Sequence, residues 1–164
     1  MDFDAVSVKE LLDRYHQTIA HFETAARSVP PDKFDSPPAP GKWTARQIIC
    51  HLGDCEAVAA WRYRMIIAQP GSTLTAFDQE KWEKELGYGG QSWEDALRAY
   101  TVLRWYNLEM LRRLPVEAWS RVAMHEERGE NSLFRLVKHN AEHVENHAQQ
   151  VRNIARKFAG AAAG

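Results

Sequence analysis

The sequence predicts an all-α protein, a four-helix bundle, and three observations carry that prediction. Four segments repeat apolar residues at helical spacing, bounded by capping residues, proline or glycine. No run alternates apolar and polar residues for long enough to suggest a strand. Four amphipathic helices in 164 residues must each bury one stripe, and a bundle does so. All four fit one domain, residues 1–159, with 160–164 expected to fray as a flexible tail.

The first helix is expected to open at Ser7, since Ser7 and Glu10 can satisfy each other's orphan N–H as a capping box. Its stripe is Leu11, Leu12, Tyr15, Ile19, Phe22 and Ala26, stopped by Pro30-Pro31. Residues 30–42 hold five prolines and a glycine, a stiff crossover. Thr44 and Gln47 form a second capping box. The helix they open carries Ile48, Leu52, Cys55, Ala59, Tyr63 and Ile66 on one face and ends near Pro70-Gly71. The loop that follows, 70–91, has room for one short extra helix around 78–86. Ser92 caps the third long helix, with Glu94 and Asp95 complementing the dipole of its first turn. Residues 115–130 read as a charged connector, with His125 in a loop beside Glu126 and Glu127. The last helix begins near Asn131 or Ser132 and runs to about Phe158.

Composition excludes several function classes. Twenty-one basic against 22 acidic residues leave a net charge of −1, which argues against a nucleic-acid partner. The N-terminus (MDFDAV) does not read as a signal peptide, and no apolar run nears the ~18 residues of a membrane span. Cys50 and Cys55, five apart in one helix, sit beyond the ~7 Å Cα limit for a disulfide and read as free thiols. The expectation is a soluble cytoplasmic protein with no membrane partner.

Seven histidines are present, and helical geometry sorts three of them: His139, His143 and His147. On a wheel of ~100° per residue, His147 falls roughly 45° from the centre of the last helix's apolar stripe, His143 roughly 85° and His139 roughly 125°. His143 and His147 therefore border the core, one turn and about 6 Å apart, able to converge on one ion. His139 leans toward solvent and lies two turns, about 12 Å, from His147. His51 sits roughly 80° from its own stripe centre, so it can supply a third ligand from the second helix. Boundary histidines bonded to carbonyls would be the plainer reading, and it suffices for His16 and His21.

The residues around these positions resemble a known family. Pro40-Gly41-Lys42-Trp43-Thr44-Ala45-Arg46-Gln47-Ile48-Ile49-Cys50-His51-Leu52-Gly53-Asp54-Cys55-Glu56 resembles the opening of the second helix in the DinB/YfiT-like superfamily. Ala141-Glu142-His143-Val144-Glu145-Asn146-His147 resembles its second metal motif, two histidines four apart in the last helix. Element order agrees over nearly the whole chain. The resemblance implies a four-helix bundle, often a homodimer, holding a divalent metal: zinc or nickel above all, iron or manganese in other members. It also implies a metal-dependent enzyme acting on a small molecule, either an S-transferase or isomerase using a low-molecular-weight thiol such as bacillithiol or mycothiol, or a hydrolase. Some relatives carry further histidines near the pair, where this chain has Asn146 and Gln150.

Three imidazoles leave at least one coordination position open, as catalytic sites do. A water or thiol bound there would be a nucleophile at neutral pH, so both reactions stay open, as does a non-catalytic metal-binding stress or interaction protein. Asp54, one turn from His51, can orient that imidazole from behind or stand as a solvated carboxylate, the plainer reading. Cys55 lies in the apolar stripe and reads as a packed thiol rather than a ligand. Trp82, Trp93, Trp105 and Tyr106 read as core or interface before pocket lining, and Arg62 and Arg64 as a solvated face before partners of an anionic thiol. Six tryptophans, more than such a core ordinarily uses, add to the expectation of a homodimer.

Overall fold

The computed structural model describes residues 4–160, so the expected tail lies outside them except for Gly160. Four long helices form the body: α1 (Ala5–Arg27), α2 (Ala45–Ala68), α4 (Trp93–Leu111) and α5 (Leu133–Gly160). The short α3 (Gln79–Glu85) occupies the loop between α2 and α4, where room for one was expected. Helix α1 packs against α5 and α4, and α2 packs against those same two helices. The first two helices in sequence thus sit diagonally, and the proline-rich crossover spans the diagonal. That crossover is pinned at Phe34 and Asp35. Arg46 grips Asp35 through two hydrogen bonds of 2.6 and 3.0 Å, and Phe34 stacks on Trp93 with ring centroids 4.1 Å apart.

The expected stripes are the observed core. Ile48, Leu52, Ala59, Tyr63 and Ile66 of α2 are buried, as are Leu133, Val137, Val144, Ala148 and Val151 of α5. Gly53 permits a close approach of α2 to α4, because a Cβ there would lie 3.2 Å from the Ala96 carbonyl oxygen. Thr44 and Gln47 make the expected capping box, and Ser92 caps α4 by accepting from the Asp95 N–H. Helix α1 differs. It opens a turn earlier than expected, with Asp4 as the cap accepting from the Ser7 N–H at 2.8 Å. An Asp reaches the N3 amide as well as a Ser does, so both positions carry a start signal.

The charged connector corrects the expectation that the chain holds no strand. Strands β2 (Val122–His125) and β3 (Gly129–Ser132) form an antiparallel hairpin, and β1 (Thr73–Leu74) adds to β2 in parallel. Strands of two and four residues are too short to show a two-residue period. The sheet lays Leu74 and Ala123 on the core and buries His125 in β2 rather than exposing it in a loop. The body remains a four-helix bundle with a small sheet at one end. No described helix is long and apolar enough to cross a membrane.

Candidate metal centre

Helices α2 and α5 bring His51, His143 and His147 together as their wheel positions require. The Nε2 atoms of His51 and His143 are 3.5 Å apart, and those of His143 and His147 are 3.0 Å apart. Ligand nitrogens on a tetrahedral ion with ~2.0–2.1 Å bonds would lie about 3.3–3.4 Å from one another, so the two pairs that share His143 are spaced as such ligands are, while the His51 and His147 ring centroids stand 5.1 Å apart. Burial and mutual repulsion hold the imidazoles neutral: His51 is pushed down to about 4 and His143 to about 3, and burial lowers His147 too. Neutral imidazole is the ligating form. His147 is further oriented by Gln150, whose Oε1 lies 2.9 Å from Nδ1 and can accept its proton, leaving the Nε2 lone pair to face the cluster.

His139 does not join. It is exposed, and its ring stacks on His143 with centroids 6.1 Å apart, on the far side from His147. Asp54 also departs from expectation. Its Oδ2 accepts from the Tyr88 hydroxyl at 2.7 Å, and no hydrogen bond joins it to His51 among the described residues. Three residues advance a helix ~300°, which turns Asp54 away from the His51 direction. Four residues return almost to it, and that position belongs to Cys55. The Cys55 Sγ lies 3.3 Å from His51 Nε2, and with His51 and His143 it makes a donor group whose atoms all fall within 4.8 Å. It also packs against the apolar core, and burial pushes its thiol up to about 12. Cys55 is therefore both packed and at the edge of the cluster, a contact the stripe assignment had set aside.

Two cavities meet this cluster. One, about 640 Å³, lies between the 38–43 segment, α3 and α5, and reaches His147 past Trp43 and Gln150. The other, about 400 Å³, reaches His51, Cys55 and His143 between Arg62, Arg128 and Phe77. Cys50 and Cys55 are both free thiols.

A four-helix bundle with neutral histidine donors converging on one flank, open to solvent on two sides, defines a class of metal-binding helical protein. The chain belongs to the DinB superfamily, whose model matches residues 14–151. Proteins from Bacillus cereus strain B4264 and Bacillus thuringiensis subsp. konkukian strain 97-27, each named "Putative metal-dependent hydrolase", are 24% identical over 156 residues, covering 92% of this chain and 88% of theirs. Among solved structures, YfiT from Bacillus subtilis superimposes with a TM-score of 0.88 at 16% identity, covering 96% of this chain and 91% of its own. It is described as "a probable metal-dependent hydrolase with an unusual four-helix bundle topology". A mycothiol-dependent maleylpyruvate isomerase matches with a TM-score of 0.69 at 18% identity, over 88% of this chain and 60% of that one.

Proposed function

We propose that this chain is a metal-dependent enzyme that holds one divalent ion, zinc or nickel by its resemblance to the family, through His51, His143 and His147. The observation that carries the reading is the convergence of three neutral Nε2 atoms, adjacent pairs 3.0 and 3.5 Å apart, where two cavities meet. An ion held there would supply Lewis acidity, drawing the pKa of a coordinated thiol or water toward neutrality. The chain's own residues do the rest. Gln150 holds the His147 tautomer, and Trp43, edge-on to His51 with centroids 5.2 Å apart, screens one side of the cluster. Two cavities on one cluster suit two reactants, so transfer of a low-molecular-weight thiol to an electrophile is the favoured reaction. Hydrolysis is the second reading, favoured by the names of the relatives. A non-catalytic metal-holding role would suit a sealed cluster, and this one opens to both cavities.

The test is metal analysis of the purified protein, then thiol conjugation to a generic aromatic electrophile with bacillithiol, mycothiol or glutathione. Turnover that disappears on chelation and in His143→Ala supports the reading, and turnover indifferent to both refutes it. A homodimer belongs to the same proposal, supported by exposed Trp61, Trp105 and Tyr106. Sedimentation equilibrium separates a dimer from a monomer of 18.8 kDa.

A further inference from the structure

Arg62 is the least explained charge in the molecule. Only 8% exposed, it forms no ion pair among the described residues, and its Nε is buried without a hydrogen-bond partner. One terminal nitrogen, Nη2, donates to the Thr75 carbonyl, and the guanidinium lies 5.9 Å from the Phe77 ring centroid. The other deeply buried arginine, Arg104, is treated quite differently, with the Glu56 carboxylate 2.7 Å away. A guanidinium removed from water without a counter-ion is costly, and structures keep one where a ligand completes it. Arg62 lines the 400 Å³ cavity that reaches the histidine cluster.

A second guanidinium faces the same space. Arg128, in the turn between β2 and β3, lines the cavity, is exposed, and makes no hydrogen bond or ion pair among the described residues. The adjacent carboxylates do not neutralise the pair at contact distance. Glu126 accepts from the Ala76 N–H at 2.8 Å, and Glu127 makes no ion pair. Burial first, then the Arg128 charge, disfavours the Arg62 cation, with Cys55, Glu127 and Glu126 opposing them only in part. His139, whose ring stacks on His143, lines the same cavity.

We propose that Arg62 and Arg128 form a carboxylate subsite, so that the reactant entering this cavity is a carboxylate-bearing small molecule whose other end reaches the histidine cluster. A planar guanidinium offers its N–H groups to a carboxylate; with Nη2 on the Thr75 carbonyl and Nε sealed from solvent, Nη1 is the Arg62 donor left to meet a ligand in the cavity. The second guanidinium, on an exposed turn, supplies attraction at the mouth and a further donor once the ligand is seated. This inference uses the metal reading only for the destination of the ligand's other end. The anion subsite itself rests on Arg62, Arg128 and the cavity.

Isothermal titration calorimetry of the zinc-loaded full chain tests it, with succinate as probe and succinamide as its uncharged counterpart. Succinate should bind at least about tenfold more tightly than succinamide, and Arg62→Gln should weaken succinate by at least about tenfold. Arg128→Gln, on an exposed turn and so harmless to folding, should weaken it about threefold to fivefold, with steeper salt dependence in the wild type than in the variant. Arg62→Lys, which keeps the charge and loses the fork, should fall between wild type and Arg62→Gln. Succinate affinity unchanged in Arg62→Gln and Arg128→Gln would overturn the proposal, because the carboxylate would then be held by the ion alone. Zinc content of the same samples keeps the two ideas apart. Zinc bound without discrimination of succinate breaks the subsite and spares the metal centre, whereas arginine-dependent succinate binding by a chain that holds no zinc does the reverse.

Discussion

Helix α2 carries two buried polar clusters side by side, and they are built on opposite rules. At Glu56, charge meets counter-charge and every group but Arg104 Nη2 finds a partner. One carboxylate oxygen accepts from Tyr15 at 2.6 Å and Asn107 at 2.8 Å, the other from Arg104 at 2.7 Å. Arg104 in turn donates to Thr18 at 2.9 Å and lies 3.7 Å from the Tyr15 ring centroid. At His51, one to two turns toward the N-terminus, three imidazole nitrogens and a thiol crowd together, and when every Nε2 lone pair faces inward, as ligation requires, the imidazoles meet as acceptors. A matched cluster completes itself and ties α1, α2 and α4 into a frame. An unmatched one is complete only with something added. The same contrast separates Arg104 from Arg62.

Breaking the matched cluster should have the largest effect on stability. Glu56→Gln leaves Arg104, fully buried, without a counter-charge and should lower unfolding free energy by about 3–5 kcal/mol in urea denaturation of the metal-free protein. A loss below about 1 kcal/mol would mean that the network is ornament to the fold rather than its frame. Breaking the unmatched cluster from outside should act on metal and spare the fold. Gln150→Ala removes an exposed side chain, so metal-free stability should change by no more than about 0.5 kcal/mol. Zinc affinity should fall about tenfold or more, because the His147 ring loses its orienting acceptor. Equal changes in both quantities would erase the distinction.

A third effect is subtler and follows from pH. Folding lowers the pKa values of His51 to about 4 and of His143 to about 3 from 6.5. Between those values the unfolded chain binds more protons, so the neutral-imidazole contribution is full above pH 6.5 and is lost as pH falls through 4 and toward 3. The metal-free protein should therefore show a urea midpoint that drops between pH 7 and pH 4, and the drop should shrink in His51→Ala. A midpoint flat over that window would show that the rings are not held neutral. The smallest effect concerns Cys55. Cys55→Ala should lower zinc affinity less than loss of any of the three histidines, since the thiol packs on the core as well as flanking the cluster.

What could be read from the sequence was what helical periodicity carries. The stripes of α2 and α5 set the directions of His51, His143 and His147 and turned His139 outward, and the structure keeps those directions. Where the reading relied on separation along the chain rather than angle, it slipped. Asp54 and Cys55 are both about a turn from His51, yet only Cys55 shares its face, and Asp54 went to Tyr88 from a loop whose path no local pattern reveals. The sheet escaped because β1 has two residues and its partners four, too few for a period. Arg62 escaped for a different reason. Its burial is created by Thr75, Phe77 and the β2–β3 turn, segments remote in sequence that close over it only in the fold.

The central claim is that three histidines from two helices make one metal centre, and a competition titration with a chromophoric zinc chelator tests it most directly. Wild-type protein should take one zinc per chain, His51→Ala, His143→Ala and His147→Ala should each weaken binding by about a hundredfold or more, and His139→Ala should bind as wild type does. A chain that takes no zinc, or one in which His139→Ala costs as much as His143→Ala, would contradict it.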